Sequence, residues 1–396
     1  MYDAIVVGAR CAGAPTALLM ARAGHRVLLL DKSAYGADTL STHLIHQPGV
    51  AALARWGVLD HVRASGCPPL ERTVYEVADI HIDGYAGGVA GQRAKFAPRR
   101  RVLDALLVDA AVAAGVEYRE RCRVTGLRWD EAGRVVGVEG SHGGRAFTED
   151  ARLVVGADGM RSTVAQLVAA PFTVQDALMT CAYHTYWSDV PADGVELYER
   201  PGGWVAAVGT NDETTLVQAY FPQSRFREVR ADACHAYEEQ IRTTAPVLFE
   251  RLRGREPAER LHGSGDQQNF FRQATGPGWV LVGDAGHHKD SITARGMSDA
   301  FQQAESLVRE TENVLGGDPA RLDAALARFA EDRDETLAPG YRATLNVARL
   351  APPHEQRLAL LRAVQSDPEL VTTYLDMVAG IVSADALYTP KLLALL

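Results

Sequence analysis

"AIVVGARCAGAPTALLMARAGHRVLLLD", residues Ala4 to Asp31, carries two apolar runs separated by a glycine turn and a helical pattern. Ala4 to Val7 is uninterrupted apolar sequence and predicts a buried strand; Val27 to Leu30 predicts a second. Between them Leu18, Leu19 and Ala21 are among the apolar positions of a helix. Strand, helix and strand within about 30 residues form a βαβ unit, the opening of a dinucleotide-binding fold.

The turn in that unit is "GARCAG", Gly8 to Gly13. A G-x-G-x-x-G fingerprint uses its first glycine for the tight turn, its second for close approach to pyrophosphate and its third for helix packing. Here Arg10 holds the second position, so its side chain either bends outward or adds a positive charge at the phosphates. Ala17 and Gly24 keep the following helix slim, and Asp31 ends the second strand where an acid accepts hydrogen bonds from a ribose.

Further out, the 396 residues suffice for two or three domains. Fifty acidic and 41 basic residues give a formal charge of −9 without any long block of like charge, which argues against a nucleic-acid partner. The densest basic cluster, "APRRRVL" from Ala97 to Leu103, reads as a local site. Five cysteines, odd in number and without a C-x-x-C pair, fit a reducing cytoplasm. The chain opens directly on a strand, so no secretory signal is expected, and no apolar run approaches the roughly 18 residues of a membrane span. The expectation is a cytoplasmic monomer or homodimer acting on a small molecule.

A helix is predicted from Val102 to Ala114, then a three-stranded meander at about 124–155 with a turn at Asp130 to Gly133. Met179 to Phe221 alternates like an antiparallel sheet, Phe226 to Leu252 reads as one helix, and the sequence after Pro319 is nearly all helical in pattern. "DGYAGGVAGQ", Asp83 to Gln92, reads as a mobile loop. The expected division is a nucleotide domain in two parts, 1–171 and 266–318, an inserted β-sheet substrate domain at 172–265, and a helical C-terminal segment at 319–396.

Two later motifs complete the pattern: "VVGADGMRSTV", Val154 to Val164, and "VGDAGHHKDSITARGMSDAF", Val282 to Phe301. The second leaves a strand on Gly-Asp, crosses a polar loop and enters a helix through Arg295, Gly296 and Met297. In this order the three motifs resemble FAD-dependent monooxygenases of the para-hydroxybenzoate hydroxylase type, in the group A flavoprotein monooxygenase superfamily, which also includes flavin-dependent halogenases and geranylgeranyl reductases. The resemblance covers about the first 310 residues. It implies an α/β fold: a Rossmann-like FAD-binding domain of the glutathione-reductase type with an inserted antiparallel sheet.

The resemblance also implies a cofactor set. Gly8, Ala12 and Gly13 belong under the FAD pyrophosphate, and Asp31 with Lys32 at the adenosine ribose. Arg100 matches a basic position near the ribityl and phosphate groups, and Val124 a backbone contact to adenine. Asp158 matches a residue that braces the flavin domain and the approach of the nicotinamide cofactor. Asp284 matches the acid on the ribityl chain, and Gly296 and Met297 the backbone facing the flavin N1 and C2 carbonyl. Independently, a helix N-terminus supplies oriented N–H groups and about half a positive charge, which suits anionic reduced flavin.

Two positions depart from the resemblance. Ser291 stands where relatives have proline, which removes a fixed φ and predicts a looser loop. Arg295 stands where they have glutamine, either stabilising reduced flavin or pointing to solvent. Candidate catalytic residues are His43, in the polar segment Asp38 to Val50 with Ser41 and Thr42, then His287, His288 and Arg295. For each histidine a structural, hydrogen-bonded role is the competing reading. His184, Tyr186 and Trp187 are substrate-pocket candidates; period two puts His184 and Tyr186 on one face and Tyr183 and Trp187 on the other. No metal-ligand spacing and no G-x-S-x-G elbow is present.

The activity implied is hydroxylation of an aromatic or polycyclic molecule, such as a natural-product intermediate, with NAD(P)H, O2 and a C4a-hydroperoxyflavin. A reductase of the geranylgeranyl type, a halogenase and a non-catalytic, ligand-sequestering flavoprotein are the alternatives. "YWSDVP", Tyr186 to Pro191, only faintly resembles the halogenase W-x-W-x-I-P.

Overall fold

The computed structural model describes all 396 residues. Its first sheet is parallel where the sequence is most apolar. Tyr2–Val7 pairs with Val27–Leu30 on one side and with the end of Arg145–Gly156 on the other; Trp279–Leu281 and Glu117–Arg119 extend the parallel run outward. Strands buried on both faces need no alternation, which is why these read as continuous apolar runs.

On one face pack the helices Gly13–Arg22, Arg100–Ala113 and Gly296–Thr311, burying Leu18, Leu103, Leu107, Phe301 and Leu307. The opposite face is closed by the meander, in which Cys122–Trp129 runs antiparallel to Val135–His142, and Val135–His142 antiparallel to the first half of Arg145–Gly156. That one strand therefore serves two sheets in succession.

The second sheet has seven strands, in the spatial order His262–Ser264, Thr180–Ser188, Thr214–Pro222, Gly203–Gly209, Val195–Arg200, Arg72–Val77, Ile80–Tyr85. It is thus not confined to 172–265. The hairpin Arg72–Tyr85 joins from far upstream, and Val195–Arg200 pairs with Arg72–Val77 in parallel.

The segment expected as one helix from Phe226 to Leu252 is three, Phe226–Ala231, Ala233–Thr244 and Pro246–Leu252. Asp232 caps the second by accepting from the His235 N–H, and Pro246 starts the third, because proline suits the first turn of a helix and not its interior. These helices cover one face of the second sheet. The other face is covered by Glu355–Gln365 and Pro368–Ala379 from the C-terminal segment. In the glycine-rich loop after Asp83, Asp376 accepts the Gly87 N–H at 2.7 Å.

Candidate active site

A groove of about 460 Å³ runs along the carboxyl ends of the parallel strands. Its first wall is the glycine turn. At Gly8 φ is +104°, and an added Cβ would lie 2.4 Å from the Ala157 carbonyl oxygen; at Gly13 it would lie 1.7 Å from the Gly8 oxygen. These two glycines are demanded by chain crossing, whatever is bound. Arg10 at the substituted position stays at the groove wall, with Nε 3.9 Å from the buried Asp104 and its side chain one-third exposed.

Gly8, Ala12, Asp31, Lys32, Arg100, Val124, Asp158, Asp284, Gly296 and Met297 all line this groove; Gly13 lies just beneath it. Asp31 accepts the Ala9 N–H at 2.8 Å and so ties the second strand to the turn. Asp158 is used structurally: it accepts from Ser162 Oγ at 2.5 Å and from the Thr163 N–H at 2.6 Å, capping a short helix. Burial raises its pKa and these donors oppose the shift.

Arg100 is forked onto Asp104 one helical turn away, at 3.1 to 3.2 Å. Asp284 has no side-chain partner in the chain and stands in the groove opposite Arg100. Gly283 has φ +62°, and an added Cβ would meet Ala12 at 2.7 Å, so the Gly-Asp turn presses against the first glycine turn. The first-turn N–H groups of a helix have no acceptor within it, and Gly296 and Met297, which open this helix, line the same groove.

At its inner end the groove opens into a second cavity of about 710 Å³; Thr42, Gln218, Tyr220 and Ala294 border both. A polar chain rims the junction. Gln218 donates to the Thr42 carbonyl at 3.3 Å, Tyr220 donates to Gln218 at 3.1 Å and lies 3.0 Å from Ser291 Oγ, and Ser291 donates to Gln267 at 2.5 Å. Ser291 is therefore tied by Tyr220 and Gln267. The looser loop expected from the missing proline is corrected, because side-chain hydrogen bonds replace the ring's constraint.

The catalytic candidates scatter. His43 is fully buried at φ +58°, its Nε2 2.5 Å from the Tyr186 hydroxyl, outside both spaces. Burial, then Arg100, holds its pKa well below the histidine range. His287 lines the groove between Phe271 and Tyr341, and burial followed by Lys289 lowers its pKa as well. His288 bonds through Nδ1 with the Gln268 carbonyl. His184 faces the groove, lowered to about 4 by burial and then His262. Histidines lowered this far are neutral at neutral pH, so His43, His184 and His287 do not act there as imidazolium acids.

Three candidates are corrected by position. Tyr186 is packed under Arg99, whose guanidinium carbon lies 3.8 Å from the ring centre, and borders neither space. Trp187 lies on the opposite face of its strand, against the covering helices, with Nε1 3.3 Å from Tyr237. Arg295 points neither at the groove nor to open solvent; it turns into the second cavity, where an added Cβ on Gly380 would lie 2.0 Å from its guanidinium.

The cavity walls come instead from residues the alternation only hinted at. Val195 and Leu197, and Trp204, Ala206 and Val208, recur with period two and face inward; Val347, Leu360, Tyr374, Val378 and Ile381 close the far side from the C-terminal helices.

A dinucleotide-binding sheet whose cofactor groove adjoins a largely apolar cavity defines a flavoprotein class of fold. The FAD binding domain family matches residues 1–335, and the chain belongs to it. The protein is an FAD-dependent oxidoreductase of the superfamily recognised from its three motifs, with NAD(P)H the reductant typical of the family. It is 26% identical over 348 residues to the digeranylgeranylglycerophospholipid reductase of Methanocella arvoryzae, covering 85% of this chain and 83% of that protein. It is also 26% identical over 313 residues to the 6-methylpretetramide 4-monooxygenase of Streptomyces rimosus, covering 76% and 73%. The solved structure of the flavin-dependent brominase Bmp2 superposes with a TM-score of 0.80 at 17% identity, covering 96% and 93%, which shows a shared fold. No helix is long and apolar enough to cross a membrane.

Proposed function

We propose that the protein is a monooxygenase that hydroxylates an aromatic or polycyclic small molecule held in the second cavity, with NAD(P)H and O2 as co-substrates. The observation that carries this reading is the junction: groove and cavity share Thr42, Gln218, Tyr220 and Ala294, so a ring held in the cavity abuts the inner end of the groove. The groove fits FAD. Asp284 and the helix start at Gly296 lack partners of their own, as a ribityl chain and an electron-rich ring edge require.

Bound FAD supplies the redox chemistry. The chain binds, orients and dries the site. Tyr75, Trp204, Tyr220 and Tyr374 offer faces for a flat substrate, and the aliphatic wall excludes water that would divert a reactive intermediate. Burial raises the Tyr220 pKa, so its phenol stays protonated and serves as a donor at the junction.

A second reading, reduction of an isoprenoid-like double bond, is favoured by the match to the Methanocella reductase over 85% of the chain. One experiment separates them. The FAD-loaded protein is incubated with NADPH, ¹⁸O2 and a panel of polycyclic and prenylated compounds. Products carrying ¹⁸O support the monooxygenase; products heavier by two hydrogens alone overturn it in favour of the reductase.

A further inference from the structure

The second cavity holds two cations that the fold leaves without counter-ions. Lys95 is buried, and its Nζ makes one hydrogen bond, to Thr73 Oγ1 at 2.5 Å. The nearest relevant acid, Asp376, spends Oδ1 on the Gly87 and Gly88 N–H groups and does not border the cavity. Arg295 makes no side-chain hydrogen bond or ion pair; its guanidinium lies flat against Gly380, the left-handed residue ending the Pro368–Ala379 helix, and near Gly340. A side chain at 380 would occupy the same space.

His46 lines the same cavity as these cations. It is buried, with Nε2 3.2 Å from the Thr293 carbonyl and Nδ1 without any partner. Burial, then Lys95 and Arg295, lowers its pKa to about 3, so it stays neutral among them. The remaining cation of the wall, Arg357, is neutralised by Glu199 at 2.5 Å. The other walls are mostly apolar.

Lys95 is buried and Arg295 half-buried, and an unpaired buried cation is costly unless a counter-charge arrives. We propose that the substrate is an amphiphile with an oxyanion head, and that Lys95 and Arg295 hold that head while its apolar body lies along Leu197 and Trp204 toward the flavin junction. The inference rests on reading this cavity as the substrate chamber. A guanidinium and an ammonium lining one cavity suit a carboxylate or a phosphate alike: the first supplies planar, two-oxygen acceptance, the second additional charge. In either case the head fixes one end of the molecule and so orients its apolar body within the cavity. Arg295 and Lys95 are then positioning residues.

The test uses three probes sharing one ring system: 2-naphthoate, 2-naphthyl phosphate and neutral 2-naphthamide. Their binding to the FAD-loaded protein and to its Lys95→Met and Arg295→Gln variants is measured by calorimetry, with the flavin absorption spectrum confirming that each variant is folded and loaded. At least one anion should bind ten-fold or more tightly than the amide and lose most of that preference in either variant, while the amide binds no more weakly. Whichever anion shows the preference distinguishes carboxylate from phosphate. Equal binding of all three probes, no binding of any, or an anion preference surviving both substitutions overturns the inference. These outcomes leave the monooxygenase reading untouched, since that is decided by ¹⁸O in the product.

Discussion

Replacing Lys95 with methionine is expected to stabilise the FAD-loaded, substrate-free protein, by an amount that shrinks as pH rises. Burial lowers the Lys95 pKa from 10.5 to about 8. That difference corresponds to roughly 3 kcal/mol at about 1.4 kcal/mol per unit. Below about pH 8 the lysine is charged in both states and the fold bears the whole penalty. Between about 8 and 10.5 the unfolded chain keeps the proton that the folded chain has released, so stability climbs with pH; above 10.5 the penalty is gone.

Methionine fills similar volume without charge, but it leaves the buried Thr73 hydroxyl without its partner, which costs about 1 kcal/mol. The net gain is about 2 kcal/mol at pH 7. At pH 9.5 the remaining penalty is about 1.4 kcal/mol, so the gain nearly vanishes. Urea unfolding curves of the two proteins, followed by tryptophan fluorescence at both pH values, measure this directly. A variant less stable at pH 7, or a gain of equal size at both pH values, would refute the assignment of Lys95 as an uncompensated buried cation.

Asp284→Ala should weaken FAD retention by roughly 1.5–3 kcal/mol through loss of a charge-assisted hydrogen bond, measured as flavin released on ultrafiltration; undiminished retention would remove the acid from the cofactor site. Gly13→Ala should yield no FAD-loaded protein, because its Cβ would overlap the Gly8 carbonyl oxygen at 1.7 Å; a yellow, stable variant would contradict that crossing. Arg295→Gln should leave the flavin midpoint potential unchanged in potentiometric titration, since the guanidinium packs on Gly380; a fall of tens of millivolts would place it beside the flavin instead. Tyr186→Phe should destabilise the fold by about 1–3 kcal/mol, because His43 Nε2 would be buried without a partner; an unchanged denaturation midpoint would deny that bond any structural weight.

The nucleotide half was readable because its constraints are local. Gly8 and Gly13 are fixed by the chain's own crossing, and Asp31 and Asp284 sit at strand ends that hydrophobic runs announce. The substrate half depends on what meets across long sequence separations. Tyr374, Val378 and Ile381 recur at helical spacing, a stripe visible in the sequence, yet nothing local tells that it faces Leu197 and Trp204. Arg295 was misread for the same reason: its direction is set by Gly340 and Gly380, which lie in the helical tail. The hairpin Arg72–Tyr85 was not anticipated from the sequence, and its sheet partner lies about 120 residues downstream.

That parallel pairing of Val195–Arg200 with Arg72–Val77 has a consequence for how the molecule is made. During synthesis the hairpin is complete long before its partner strand exists, so its pairing edge must wait until the chain has grown past residue 200, and its apolar face, with Val77, Ile80 and Ile82, waits longer still. Closing a loop of that length before any contact rewards it is slow, and the C-terminal helices that finally cover the same face are synthesised last. The second sheet is therefore a late folding event for the whole chain. A fragment spanning 172–265 would present Val195–Arg200 as a bare edge, which makes it prone to aggregate.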